Sequence, residues 1–144
     1  WLKDLTRFSI PIGHGEGNFY APPKILKKLK EKNLIALKYV QGEICEFLNL
    51  PANPNGSLEN IAGITDETGR ILGLMPHPDR ALFITNRPDW PTLKEIAKRS
   101  DKKLLPQKLP PQKLPKEGPG VQIFKNAIQY FKGNPSSHSV SFEM

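Results

Sequence analysis

Apolar residues recur along the chain with two different periods, and these periods predict its regular elements. Spacings of three and four residues predict helices, whereas short apolar runs between turn signals predict strands. The predicted helices cover residues 22–33, 90–100 and 121–132, and the predicted strands cover residues 7–12, 34–40, 61–65 and 70–75. Because strands and helices alternate, the pattern predicts an α/β fold.

Turn signals and apolar faces add detail to these elements. The last two strands flank the sequence Asp-Glu-Thr-Gly and predict a hairpin, while residues 51–57, which read PANPNGS, predict a turn. Two helices carry an apolar face. The face comprises Ile25, Leu26 and Leu29 in the first helix, and Ile123, Phe124, Ala127, Ile128 and Phe131 in the last.

The predicted hairpin ends at a histidine between two prolines. Each proline pushes the residue before it toward extended geometry, so His77, between Pro76 and Pro78, is predicted to be extended. Residues i and i+2 of an extended chain face the same side, which would bring the His77 imidazole and the Asp79 carboxylate together. A base with an orienting carboxylate is part of a nucleophilic triad, so the pair is a candidate catalytic site. The next residue, Arg80, is interpreted as a surface charge.

Composition narrows the classes of protein that fit. A chain of 144 residues suits one domain. Its one cysteine excludes an internal disulfide and is typical of a reducing compartment, so we expect a cytoplasmic protein. No apolar run approaches the ~18 residues of a membrane span, which argues against a membrane protein.

One stretch carries most of the net charge of +7. Between Lys94 and Lys116 there are eight basic and two acidic residues, together with the proline-rich sequence LPQKLPPQKLPK. Dense prolines prevent helix and sheet, so we expect residues 94–119 to form a basic, insertion-like loop. We expect residues 133–144 to form a Ser-rich, poorly ordered tail. Nucleic-acid binding is a weaker interpretation, because the chain adds neither aromatic platforms nor a recognisable nucleic-acid-binding motif.

Three segments together resemble one enzyme family. They read IPIGHGEGNFYAP, NPNGSLENIAGITDETGRILGLMPHPDRA and GPGVQIFKNAIQYF, in this order. They are similar to the C-terminal part of the glutamine amidotransferase subunit of phosphoribosylformylglycinamidine synthase, a class I amidotransferase of purine biosynthesis. The resemblance implies that residues 1–132 form the C-terminal part of a flavodoxin-like α/β domain, a mixed sheet with flanking helices.

The same resemblance implies a glutaminase site made of Cys, His and Glu. In such subunits a cysteine thiolate attacks the glutamine carboxamide, a histidine protonates the departing ammonia, and water hydrolyses the thioester. The motif places the histidine at His77 and the carboxylate at Asp79, where the family has the longer Glu. His14 and Glu16, in the sequence HGEG, are expected either to lie near the site or the partner, or simply to form a glycine-rich turn.

The chain itself offers no suitable nucleophile. Cys45 lies in GEICEF without the glycines of a sharp elbow, and the negative charges of Glu43 and Glu46 disfavour a thiolate, so Cys45 is interpreted as structural. The chain opens with Trp1 and not Met. We therefore expect it to be part of a longer protein with its catalytic cysteine before Trp1, and to be inactive alone.

The resemblance implies a substrate and protein partners, and no cofactor in this chain. It implies glutamine as substrate, a large synthetase subunit that holds ATP and magnesium, and a small accessory subunit. No cofactor or metal is expected in this chain, since His14 and Glu16 are too few ligands for a metal site. Two other functions stay open, a non-catalytic module that binds a synthetase and a basic nucleic-acid-binding protein.

Overall fold

Four α-helices and three short strands make up the described part of the chain. The structure is a computed structural model and describes residues 1–13, 15, 17–100 and 115–133. The helices and strands are, in chain order, α1 Pro23–Glu31, β1 Ile35–Lys38, α2 Glu43–Phe47, β2 Ile61–Thr65, β3 Leu72–Leu74, α3 Trp90–Ser100 and α4 Pro119–Gly133. Short 3-10 turns occupy Leu58–Asn60, Pro78–Ala81 and Ile84–Asn86. The predicted α/β class is confirmed.

The three helices predicted from apolar spacing are all present. In α1 a proline stands in the first turn, where the missing N–H would have had no helical partner. Leu29 of α1 is buried, whereas Ile25 on the same predicted stripe is 47% exposed. The single-turn helix α2 was not predicted, because five residues are too few to show a helical period.

The three strands form one sheet in the order β1-β2-β3, with antiparallel neighbours throughout. The predicted hairpin of β2 and β3 is confirmed, with Gly63 opposite Leu74 and Thr65 opposite Leu72. Strand β1 is shorter than predicted, and its pairing with β2 shifts register twice. The parallel pairs of the expected mixed sheet do not occur among the described residues.

The predicted strand over residues 7–12 is wrong. In this segment only Ile12 pairs with another strand-like residue, in an isolated bridge with Pro76. Pro11 and Pro76 lack the N–H groups that a ladder needs, so the pairing cannot extend. Among the described residues, the backbone hydrogen bond that ties this segment to the Pro-His-Pro stretch runs from His77 N to Pro11 O, at 2.7 Å.

The most deeply buried apolar side chains lie on β2 and on α4, and α4 packs against the turn Pro78–Ala81. Ile61 of β2 has no exposed surface, and Ile123 of α4 is 2% exposed. Asn126, also on α4, is buried, and its amide donates to the carbonyls of Trp1 and Lys3 at 2.8 Å each. A buried amide that is fully used in this way holds the first residues of the chain against the helix.

The apolar face predicted for the last helix is only partly buried. Ile123 is covered, but Phe124, Ile128 and Phe131 stay 42%, 53% and 52% exposed. The predicted loop over 94–119 is also corrected at both ends, because residues 94–100 belong to α3 and α4 begins at Pro119. Residues 101–114 and 134–144, including most of the proline-rich stretch and His138, lie outside the described residues.

Candidate functional site

The Pro-His-Pro segment lies where the hairpin meets the start of the glycine-rich segment. Beyond β3 the chain stays beside β2, since Met75 N donates to Ala62 O at 3.0 Å. The next contacts are with residues 11–13, through the bridge of Ile12 with Pro76 and the bond from His77 N to Pro11 O. Both neighbouring segments therefore fix the backbone of His77.

The predicted extended backbone of His77 is confirmed, with φ −104° and ψ 95°. The prediction that the chain stays extended from His77 to Asp79 is wrong. Pro78 opens a 3-10 turn, for which its fixed φ is well suited, and Arg80 N donates to His77 O at 3.1 Å. Asp79 thus approaches the imidazole from a turn.

The two predicted catalytic side chains do lie together. His77 Nδ1 is 3.4 Å from Asp79 Oδ1, with side chains 37% and 62% exposed. This distance is longer than the ~2.7–2.9 Å of a strong charge-assisted hydrogen bond, as expected from the short Asp stem. The carboxylate nevertheless faces Nδ1, which leaves Nε2 as the nitrogen available for proton transfer.

His77 Nε2 faces Gly13. A Cβ built on Gly13 would lie 3.0 Å from His77 Nε2 and 3.0 Å from the guanidinium carbon of Arg80. Gly13 therefore lets the imidazole and the guanidinium lie against the backbone of the glycine-rich segment. The expectation that this segment lies near the site is supported at Gly13, whereas His14 and Glu16 lie outside the described residues.

The turn that carries Asp79 rests on the start of α4. A Cβ on Gly120 would collide with the carbonyl oxygen of Pro78, and one on Gly118 would collide with that of Ala81. Gly118 N also donates to Leu82 O at 2.8 Å. The sequence Gly-Pro-Gly before the last helix is therefore a close-packing element, a role that residue pattern alone did not reveal.

The predicted turn at 51–57 anchors the other end of the glycine-rich segment. The buried Ser57 hydroxyl accepts from Phe19 N at 2.9 Å, and Leu58 N donates to Phe19 O at 2.9 Å. Asn55 Nδ2 donates to Gly17 O at 3.1 Å. Asn53 holds the turn itself, accepting from Gly56 N at 3.0 Å. These amides position the backbone and use their polar atoms to do so.

Cys45 lies on α2, away from any glycine elbow, and is partly exposed. Its helix is tied to the following region by Glu43, which is 3.7 Å from the Arg87 guanidinium. Arg87 also binds Asp89 through two hydrogen bonds of 2.8 and 2.7 Å, which lower the pKa of Asp89 below its usual value. The interpretation of Cys45 as a structural residue stays a prediction.

Neither a metal-binding cluster nor a membrane-spanning helix occurs within residues 1–13, 15, 17–100 and 115–133. Within these residues no group of three or more His, Cys, Asp or Glu side chains could hold a metal ion. None of the helices in the same residues has both the length and the apolar character needed to cross a membrane.

Comparison with known proteins gives a consistent result. A family model of CobB/CobQ-like glutamine amidotransferase domains matches residues 1–131. The chain is 42% identical over 132 residues to the phosphoribosylformylglycinamidine synthase subunit PurQ of Methanococcus maripaludis strain C5, covering 91% of this chain and 46% of that protein. It is 58% identical over 74 residues to the same-named subunit of Chlorobium chlorochromatii strain CaD3, covering 50% of this chain and 30% of that protein. The chain thus spans about half the length of its Methanococcus relative, and its match to the Chlorobium relative covers less than a third of that protein.

Proposed function

Because the chain belongs to the family of CobB/CobQ-like glutamine amidotransferase domains, we propose that it supplies the histidine and carboxylate of a glutaminase site. The longer protein would be the amidotransferase subunit of phosphoribosylformylglycinamidine synthase, which supplies ammonia for purine biosynthesis. The observation that carries the proposal is the position of His77, with Nδ1 3.4 Å from the Asp79 carboxylate and Nε2 toward the glycine-rich segment.

In the proposed reaction a cysteine thiolate attacks the carboxamide carbon of glutamine. His77, protonated at Nε2, gives its proton to the amide nitrogen as the carbon–nitrogen bond breaks, so ammonia leaves and a γ-glutamyl thioester forms. His77 then takes a proton from water, whose oxygen attacks the thioester carbon. The carbon–sulfur bond breaks, and glutamate and the thiolate are released.

Asp79 would act through His77. A carboxylate at Nδ1 holds the ring so that Nε2 faces the reacting atoms, and it stabilises the imidazolium that is present before ammonia leaves and forms again when water attacks. The turn Pro78–Ala81 sets this arrangement, and the glycines before α4 support the turn from behind.

The nucleophile is proposed to be a cysteine other than Cys45, in a part of the longer protein that this chain does not include. The single turn of α2 has no glycine beyond its N-cap, Gly42, and places Cys45 beside two glutamates. Ammonia would pass to a synthetase partner that holds ATP and magnesium, with a small accessory subunit as a further partner. The compartment would be the cytoplasm.

A full-length chimera tests the proposal. In it, this chain replaces the 132 matching residues of the Methanococcus maripaludis subunit, and glutamate release from glutamine is measured with and without the synthetase. We expect release by the chimera and none by the 144-residue chain alone, where a Cys45→Ser variant serves as control. A folded chimera without activity, judged by a cooperative thermal melt, would overturn the glutaminase function.

A non-catalytic module that binds a synthetase is the second candidate, and one observation favours it. Asp79 is 62% exposed and its carboxylate lies 3.4 Å from the imidazole, longer than a strong charge-assisted hydrogen bond, which a module without catalytic duty would tolerate. Such a chimera would bind the synthetase in a pull-down but would release no glutamate. Nucleic-acid binding has less support, because Lys98 and Arg99 on α3 pair with Glu95.

A further inference from the structure

Arg80 directly follows Asp79 in the turn Pro78–Ala81, and its guanidinium lies beside the candidate catalytic histidine. Its guanidinium carbon and His77 Nε2 are each 3.0 Å from the position that a Cβ on Gly13 would take. The two groups are therefore no farther apart than twice that distance. They face the same point of the glycine-rich segment, on the side where Nε2 would meet a substrate.

Arg80 differs from the other arginines of the described residues in its partners. Arg7 donates to Gln41 O, Arg70 to Tyr130 Oη, Arg87 to Asp89, and Arg99 lies 3.5 Å from Glu95. Within the described ranges the Arg80 side chain has neither a hydrogen bond nor an ion pair. Its carboxylate neighbour Asp79 faces His77 instead.

We propose that the Arg80 guanidinium binds the α-carboxylate of the glutamine substrate. This inference rests on the proposed glutaminase function and extends it to substrate recognition. A guanidinium presents paired N–H donors that match a carboxylate, and Arg80, which has no partner among the described residues, has those donors available there.

The geometry of glutamine fits this assignment. Three carbon atoms separate its α-carboxylate carbon from its carboxamide carbon, so both ends of one molecule can be held by groups a few ångströms apart. With the amide nitrogen at His77 Nε2, the α-carboxylate can reach the Arg80 guanidinium. Binding at this remote end would hold the carboxamide in the orientation needed for attack.

Gly13 would be a positioning residue for the same contact. Its φ is not in the left-handed region, so alanine suits its backbone, but a Cβ would crowd both the guanidinium and the imidazole. Because the Arg80 side chain is flexible, we expect it to give way first. Gly13→Ala should therefore weaken glutamine binding more than it slows the chemical step.

The test compares two substrates of the full-length chimera, L-glutamine and 4-aminobutanamide, which has the carboxamide and the amine but lacks the α-carboxylate. Arg80→Ala should lower kcat/KM for glutamine roughly ten- to a hundredfold, mainly through KM, because the contact is made before and during the reaction. It should leave kcat/KM for 4-aminobutanamide unchanged. If that amide reacts too slowly, its inhibition constant against glutamine replaces the rate.

Three variants complete the experiment. Arg80→Lys keeps the charge without the paired donors and should recover part of the loss. Gly13→Ala should raise KM for glutamine severalfold. Arg70→Ala removes an exposed arginine at the opposite end of β3 and should leave both substrates unaffected.

The outcomes separate this proposal from the one on which it rests. A parent chimera that releases no glutamate overturns both the glutaminase function and the Arg80 assignment. An active parent whose KM for glutamine is unchanged by Arg80→Ala overturns the Arg80 assignment alone, as does an equal loss for both substrates. A glutamine-specific rise in KM with partial recovery in Arg80→Lys supports it.

Discussion

The two ends of the β2–β3 hairpin each carry an aspartate close to a partner two residues away, and the two aspartates are used differently. At the turn end, Asp66 accepts hydrogen bonds from the Thr68 hydroxyl, from Thr68 N at 3.1 Å and from Ile71 N at 2.9 Å. At the site end, Asp79 has one neighbour, His77 Nδ1 at 3.4 Å, among the described contacts.

The difference separates a structural carboxylate from one available for chemistry. The hydrogen bond from Thr68, with those from the nearby backbone, lowers the pKa of Asp66 to about 2. Donors that favour the charged form so strongly hold the turn together and occupy three of the roughly four acceptor positions of a carboxylate. Asp79 can still accept further hydrogen bonds, and Nε2 on the far side of the His77 ring can still bind a substrate or exchange a proton with it.

Replacing His77 should have the largest effect on activity and should separate the two ends of the hairpin most clearly. We expect His77→Ala to reduce glutamine hydrolysis by the full-length chimera by roughly 10² to 10⁴, because proton transfer to the leaving ammonia is lost. Asp66→Asn, at the other end of the hairpin, is the matched control and should leave the rate unchanged. Hydrolysis by His77→Ala at the parent rate would mean that the two prolines only hold a turn.

The second effect concerns the carboxylate that faces the imidazole. Asp79→Asn should reduce glutamine hydrolysis less than His77→Ala does, because Asp79 acts through the ring. Asp79→Glu should keep or raise the activity, since one more methylene closes the 3.4 Å gap to Nδ1. The rates are measured from pH 5 to 9. Loss of activity in Asp79→Glu with full activity in Asp79→Asn would contradict an orienting role.

A third change acts on the packing behind the site end. Gly120→Ala places a methyl group against the Pro78 carbonyl and should lower the free energy of unfolding of the chimera by about 1–3 kcal/mol, as overpacking usually does. Gly133→Ala, in the same helix, has no atom within 4 Å of the added Cβ and is the control. Urea unfolding measures both. Equal stabilities would show that the turn moves freely away from α4.

The smallest effect concerns the turn end and depends on pH. Since the folded-state pKa of Asp66, about 2, lies below its ordinary 3.8, its contribution to stability is nearly complete above about pH 5 and is mostly lost as the pH falls to 2. Asp66→Asn should lower Tm at pH 5 by a small amount, and the difference from the parent should vanish near pH 2. A difference that is constant between pH 2 and 5 would refute this account.

Local patterns predicted much of the fold. The helices α3 and α4 and the hairpin of β2 and β3 were all predicted, because their periods and turn residues lie within short windows of sequence. The strand over 7–12 was wrong for a long-range reason. Among the described residues its one bridge joins Ile12 to a proline, Pro76, and no local window of sequence shows that pairing.

By itself the sequence determined that His77 is extended, because two prolines restrict the backbone regardless of what surrounds them. It predicted that Asp79 lies close to His77, but a turn, and not the expected extended chain, brings the two side chains together. Only the tertiary structure decided which groups face the other side of the imidazole. Arg80, taken from sequence for a surface charge, lies beside His77 because Gly13, more than sixty residues earlier, leaves room for both. Such a contact depends on how distant segments pack. The absence of a side chain at Gly13 matters only because atoms of Arg80 and His77 occupy the space that a Cβ would take.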